Sequence, residues 1–213
     1  MNLISVNVGE PAPVAWQGRT VLTAIFKKPV ACPVSVHRLG LEGDAVADPE
    51  VHGGEHKAVY AFPFEHYDYF AQFLGRNDFV HGQFGENLTT SGLLETEVCI
   101  GDRLRIGGVL LEVTQPREPC FKLGIRMNDS RILRQLLESR RTGFYLRVVQ
   151  EGVLVAGMEV THEPAEAESL TVSEITRVCY FDKDDLPTVR RAAGLERLTP
   201  SWRENFRQRI GAA

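Results

Sequence analysis

The chain has 213 residues, with 24 Lys and Arg against 28 Asp and Glu and a formal net charge of −4, a balance that excludes a globally basic nucleic-acid binder. Hydrophobic residues make up 43% and charged residues 24%, ordinary globular usage that argues against disorder. No apolar run approaches the ~18–20 residues of a membrane span, and Met1-Asn2-Leu3-Ile4-Ser5 lacks the basic-then-apolar order of a secretory leader, so a cytoplasmic protein with no membrane or nucleic-acid partner is expected.

Short β-branched or apolar runs at residues 4–8, 21–26 and 57–62 predict the first strands. Phe64, Tyr67, Phe70, Ala71 and Leu74 then recur at helical spacing between Pro63 and Gly75, the proline-first, glycine-last order of a helix. His66 and Asp68 fall between its apolar positions and are expected to be solvated. Further strands are predicted at 98–100, 103–106 and 109–114, with Gly107-Gly108 as a two-residue hairpin turn. A second helix is predicted over residues 129–138, with Ile132, Leu133, Leu136 and Leu137 on one face. Strands at 144–149 and 158–162 close the series. Many short strands at close spacing argue for a barrel or sandwich.

The acidic stretch Glu163-Pro164-Ala165-Glu166-Ala167-Glu168 marks a change of composition. Beyond it only helical signals occur. Thr171-Val172-Ser173-Glu174 is a capping box, Pro187 to Gly194 follows the proline–glycine rule, and Ser201-Trp202-Arg203-Glu204 is a second capping box. Two units are therefore expected, a β domain over residues 1–163 and three helices over 169–213. The arginines at 203, 207 and 209 could form a docking face, although a solvated helix surface fits them better.

The four cysteines stand singly, and no C-x-x-C occurs, so neither a structural zinc site nor a redox pair has support. Cys99 reads as a strand residue, Cys179 as part of a helix and Cys32 as a loop residue before proline. Cys120 differs. It follows Arg117 and precedes Lys122 in a loop stiffened by Pro116 and Pro119, and nearby cations favour the thiolate, which is both nucleophile and soft-metal ligand. A purely structural loop cysteine is equally compatible with the spacing.

In Val51-His52-Gly53-Gly54-Glu55-His56-Lys57 the two histidines are four apart, but the glycines between them disfavour the helix that a shared zinc would need. A glycine turn whose backbone N–H groups and Lys57 hold an anion is the better reading. Phe84-Gly85-Glu86-Asn87-Leu88 reads as a turn in which Glu86 either orients a polar ligand or caps the loop. Gly40-Leu41-Glu42-Gly43-Asp44 reads as a turn, and Arg38 and Asp102 carry no assigned role.

These four segments, with Gln115-Pro116-Arg117-Glu118-Pro119-Cys120-Phe121-Lys122-Leu123 as the last, resemble in type and order the motifs of the MOSC family, named for the C-terminal domain of molybdenum cofactor sulfurase. The tail resembles the 3-alpha domain of its stand-alone bacterial YiiM-type members. The resemblance implies a mainly β protein with α-helices, a MOSC-type β-barrel with a small three-helix domain. It further implies that molybdenum cofactor, Mo-molybdopterin, is bound. Cys120 would be the molybdenum ligand and catalytic centre, with His52, Gly53, Gly54, Lys57, Gly85, Glu86, Asn87, Arg117 and Lys122 binding the cofactor.

Relatives in the family reduce N-hydroxylated compounds, such as hydroxylaminopurine bases, to amines. The chain has neither ferredoxin cysteine spacing nor a G-x-G-x-x-G loop, so electrons would come from an external protein or small reductant. The general acid could be Glu86, His52 or Asp44. A carrier of persulfide sulfur or of cofactor is the alternative. Hydrolysis by Cys120 with His52 as base ranks last, since no orienting partner is visible.

Overall fold

The computed structural model describes residues 1–165 and 168–212, so Glu166 and Ala167 of the acidic stretch lie outside the described residues. The chain opens with β1 (Asn2–Val8), then a two-stranded ribbon of β2 (Ala12–Trp16) and β3 (Arg19–Thr23). Short strands β4 (Lys28–Pro29), β5 (Val34–His37) and β6 (Gly40–Leu41) follow, then one helical turn, α1 (Pro49–His52). β7 (Val59–Pro63) runs into a 3-10 turn (Phe64–His66) and α2 (Tyr67–Leu74). Next come β8 (Leu88–Ser91), β9 (Arg103–Ile106), β10 (Val109–Pro116), α3 (Phe121–Met127) and α4 (Arg131–Glu138). β11 (Phe144–Gln150), β12 (Gly152–Leu154) and β13 (Thr161–Glu163) complete the strands, before α5 (Val172–Tyr180), α6 (Leu186–Gly194) and α7 (Pro200–Ala212).

Eight strands form one mixed sheet in the order β13-β9-β10-β11-β7-β8-β1-β4, curled into a half-barrel. Only the β7–β8 pair is parallel among the described strands. β10 is buried along its whole length. Its Glu112 is tolerated there because Arg103 and Arg147 bond the carboxylate at 3.1 and 2.8 Å, and a buried charge needs such partners.

The predicted hairpin at Gly107-Gly108 is present, with Ile106 opposite Val109. The capping box at Thr171 and Glu174 is formed in both directions. The three C-terminal helices share the sheet's core: Ile175, Val178, Val189, Trp202 and Phe206 pack in one cluster with Leu111 and Val113. A second cluster joins α2, α3 and α4 around Phe62, which stacks on Phe84 with ring centroids 4.0 Å apart.

Several expectations change. Residues 98–100 form a turn with an isolated bridge at Cys99, because the Cys99 N–H donates to Asp102 at 2.8 Å. The predicted strand at 57–62 starts later, at Val59, after a 3-10 turn over Glu55–Lys57. The strand predicted at 21–26 lies at Arg19–Thr23, and the one at 158–162 is reduced to Thr161–Glu163. Leu88, the last residue of the predicted turn at 84–88, opens a strand, Leu88–Ser91, because Thr89 and Thr90 are buried beside β1 and β7. His66 is 6% exposed, not solvated, and meets Glu95 at 2.6 Å, whereas Asp68 is exposed. Ser201 lies inside α7, which starts at Pro200, so its capping box does not form at the predicted position. Arg209 bonds the carbonyls of Val178 and Cys179 at 2.9 and 3.0 Å, tying α7 to the end of α5.

Candidate functional site

A cavity of about 290 Å³ opens where α1, the β10–α3 loop and the loop before β8 meet. His52, Gly53, Gly54 and Lys57 line it from the glycine turn; Arg117 and Cys120 line it from the loop after β10, and Lys122 from the first turn of α3. Gly85 and Asn87 contribute from the third motif. Segments far apart in sequence are brought together because β7 and β10 flank β11 in the sheet and β8 pairs with β7.

Cys120 caps the start of α3 in extended conformation, which turns the chain from strand to helix there. Its Sγ lies 3.5 Å from His52 Nε2. Burial holds the His52 imidazole below its ordinary pKa, and Lys122, Lys57 and Arg117 push the same way, so the ring is neutral at neutral pH. His56 does not line the cavity. Its ring is influenced by Arg147 and Arg203, so the two histidines of the glycine turn do not share a ligand. Among the described residues no His, Cys, Asp or Glu cluster suited to a metal is present.

Arg117 is 5% exposed and its guanidinium lies over the Tyr60 ring, 5.4 Å from the centroid. Tyr145 packs against Tyr60 at 5.3 Å and also lines the cavity. The Arg117 Nη1 is buried with no hydrogen-bond partner. An orphaned guanidinium nitrogen costs free energy unless a ligand accepts from it, and a planar cation fits phosphate oxygens. Beside it stand Lys57 and Lys122. The donor set, one soft sulfur with several cationic donors, fits a phosphorylated ligand that carries a soft metal.

Glu86 is the predicted site residue that the structure turns away. It is fully buried and does not line the cavity. Its carboxylate accepts from the backbone N–H groups of Gly82 and Phe84 at 2.9 Å each, from Thr89 at 2.9 Å and from the Tyr67 hydroxyl. It therefore fixes the loop that presents Gly85 and Asn87. Burial pushes the Glu86 carboxyl up, against these hydrogen bonds.

Sequence reasoning missed Lys27 and gave Asp44 little weight. Lys27 pairs with Asp44, both side chains 8% exposed, and both residues line the cavity. Asp44 also accepts from the Gly9 N–H at 2.9 Å and from Asn87 Nδ2 at 2.8 Å. With its oxygens so engaged, Asp44 ties three other segments to its own. The signal available in sequence was the Gly43-Asp44 pair; Lys27 had none. Arg38, given no role, pairs with Glu55 at 2.7 Å on the surface. Asp102 bonds His162 at 2.5 Å and the Ala165 N–H at 2.7 Å.

A model of the MOSC domain matches residues 48–161, and a model of the YiiM-like 3-alpha helix domain matches residues 170–211. The chain is 35% identical over 205 residues to the uncharacterized protein YflK of Bacillus subtilis (strain 168), covering 96% of this chain and 92% of that one. The crystal structure of YiiM from Geobacillus stearothermophilus superposes with a TM-score of 0.83 at 35% identity, covering 98% of each chain. A protein named reductase from Gibberella moniliformis (strain M3125 / FGSC 7600) is 37% identical over 143 residues, 66% of this chain and 25% of that longer protein.

Proposed function

The chain belongs to the MOSC-domain family, and from that premise we propose that it is a molybdenum-cofactor-dependent reductase of N-hydroxylated compounds, fed by an external electron donor. The observation that carries this reading is that the Cys120 thiol and the unpartnered Nη1 of Arg117 line one cavity. The similarity to a protein named reductase supports the redox class.

When bound, the cofactor would supply a two-electron centre that accepts oxygen. The protein's residues do the rest. Cys120 would hold the metal through its sulfur, and His52 Nε2, 3.5 Å away, is the nearest acceptor for the proton that the thiol must lose. Arg117, with Lys57 and Lys122, would hold the phosphate; Tyr60 and Tyr145 keep the guanidinium in place. Ala24 and Ile25 on one wall, with Leu39 and Val46 also lining the cavity, exclude water from a flat substrate. Reduction of an N-hydroxyl group to an amine consumes two electrons and two protons and releases water.

The test is molybdenum and pterin content per chain after purification from a cofactor-producing host, beside Cys120→Ser. Near-stoichiometric molybdenum in the wild type that falls in the variant, with turnover of a hydroxylaminopurine, is the expected result. Pterin retained independently of Cys120 would favour a carrier. Neither metal nor pterin after anaerobic reconstitution would remove the reading altogether.

A further inference from the structure

The β2–β3 ribbon pairs with no third strand among the described residues. An isolated two-stranded hairpin is marginal in water, so something outside its own ladder must fix its position. Its turn is built for stiffness. Gln17 and Gly18 both take positive φ, 48° and 77°, the arrangement whose twist matches that of the flanking strands. Such a turn favours a ribbon that keeps its own shape.

Its root is seated at the cavity. Thr23, Ala24 and Ile25 are lining residues, and a Cβ on Gly85 would come within 2.8 Å of Ile25 Cγ1, so this segment lies flat on the loop that Glu86 fixes. Its far end makes a different contact. The Arg19 guanidinium lies over the ring of Phe121, 5.7 Å from the centroid. Phe121 directly follows Cys120 and is 46% exposed. The ribbon thus runs from one lining segment of the cavity to another.

We propose that the β2–β3 hairpin is a flap over the cavity, latched by Arg19 on Phe121, and that the latch selects which substrates reach Cys120. Leu39, 68% exposed, and Val46, 38% exposed, also line the cavity. In this proposal the closed latch admits a flat base past these two apolar side chains. A base that carries a sugar needs the flap lifted. The flap itself follows from the geometry of the chain; the selection of substrates rests on the reductase reading above.

Amide hydrogen exchange on the whole protein tests the latch without any need for activity. In Arg19→Ala, exchange at residues 12–23 is expected to rise about two- to five-fold, the range that an exposed cation–π contact is worth. Amides of β7 and β10 should stay unchanged, and Arg19→Lys, which keeps the cation, should restore most of the protection. Equal exchange in wild type and Arg19→Ala overturns the latch. The second arm compares kcat/KM for 6-hydroxylaminopurine with that for its ribonucleoside. Arg19→Ala should shift the ratio several-fold towards the ribonucleoside while the base turns over as before. Faster exchange with an unchanged ratio keeps the latch and overturns the selection. If no form of the protein reduces either compound, the reductase reading fails and the selection falls with it, while the exchange result still decides the flap.

Discussion

Asn87 Nδ2 donates to Asp44 Oδ2 at 2.8 Å, across 43 residues of sequence, while Asn87 Oδ1 accepts from the Tyr60 N–H at 3.0 Å. Two of the sequence motifs are thereby locked to β7 through one amide side chain. Lys27 completes the arrangement by pairing with Asp44. Burial lowers the Lys27 ammonium from its ordinary pKa, and Asp44 opposes that shift.

Asp44→Ala should therefore leave a buried ammonium without its counter-charge. Removal of one partner of a buried pair costs about 3–5 kcal/mol. Chemical denaturation should show a loss of that order, and a loss below about 1 kcal/mol would mean that the pair is solvated in solution. Lys27→Met in the same background should recover part of the loss, because the stranded charge is then gone.

Glu86→Gln should destabilise the loop before β8. The carboxylate accepts at both oxygens, from Gly82 and Thr89 on one and from Phe84 on the other. An amide must present N–H to one of those donors, leaving buried groups unsatisfied at about 1–3 kcal/mol. The readout is the thermal midpoint beside Glu86→Asp. An unchanged midpoint would place Glu86 in contact with solvent or ligand instead.

Arg117→Met keeps much of the side-chain volume and removes the cation. A hydrogen bond to a charged group is worth about 1.5–3 kcal/mol, so pterin phosphate should bind about ten- to a hundred-fold more weakly, measured by pterin fluorescence. Metal content per retained pterin should be unaffected, because Cys120 is untouched. Loss of metal at full pterin occupancy would reverse these assignments.

Stability should fall as pH drops below about 6.5. Burial holds His56 and His81 below the ordinary histidine pKa, so the unfolded chain binds protons more readily than the folded one there. The contribution is complete above the unfolded value and is lost as pH falls through the folded values. Denaturant midpoints at pH 7.5 and 5.5 should differ in that direction, and His56→Gln with His81→Gln should flatten the difference. A midpoint that rises on acidification would contradict the burial effect.

The sequence by itself determined the parts that depend on local spacing. The Gly107-Gly108 hairpin, the Thr171 capping box, the helical tail and the cavity-lining segments around His52 and Cys120 follow from residues a few positions apart, where backbone geometry and side-chain chemistry act directly. Only the tertiary structure decided what each polar residue faces. His66 lies at polar spacing in the 3-10 turn before α2, yet Glu95 arrives from 29 residues away and buries it. Glu86 stands inside a ligand-like motif, yet it turns inward to the N–H groups of its own loop. Lys27 carries no motif, and its partner Asp44 comes from another segment. Strand order and register set these meetings, and they are fixed by burial over the whole sheet, so no window of sequence contains them.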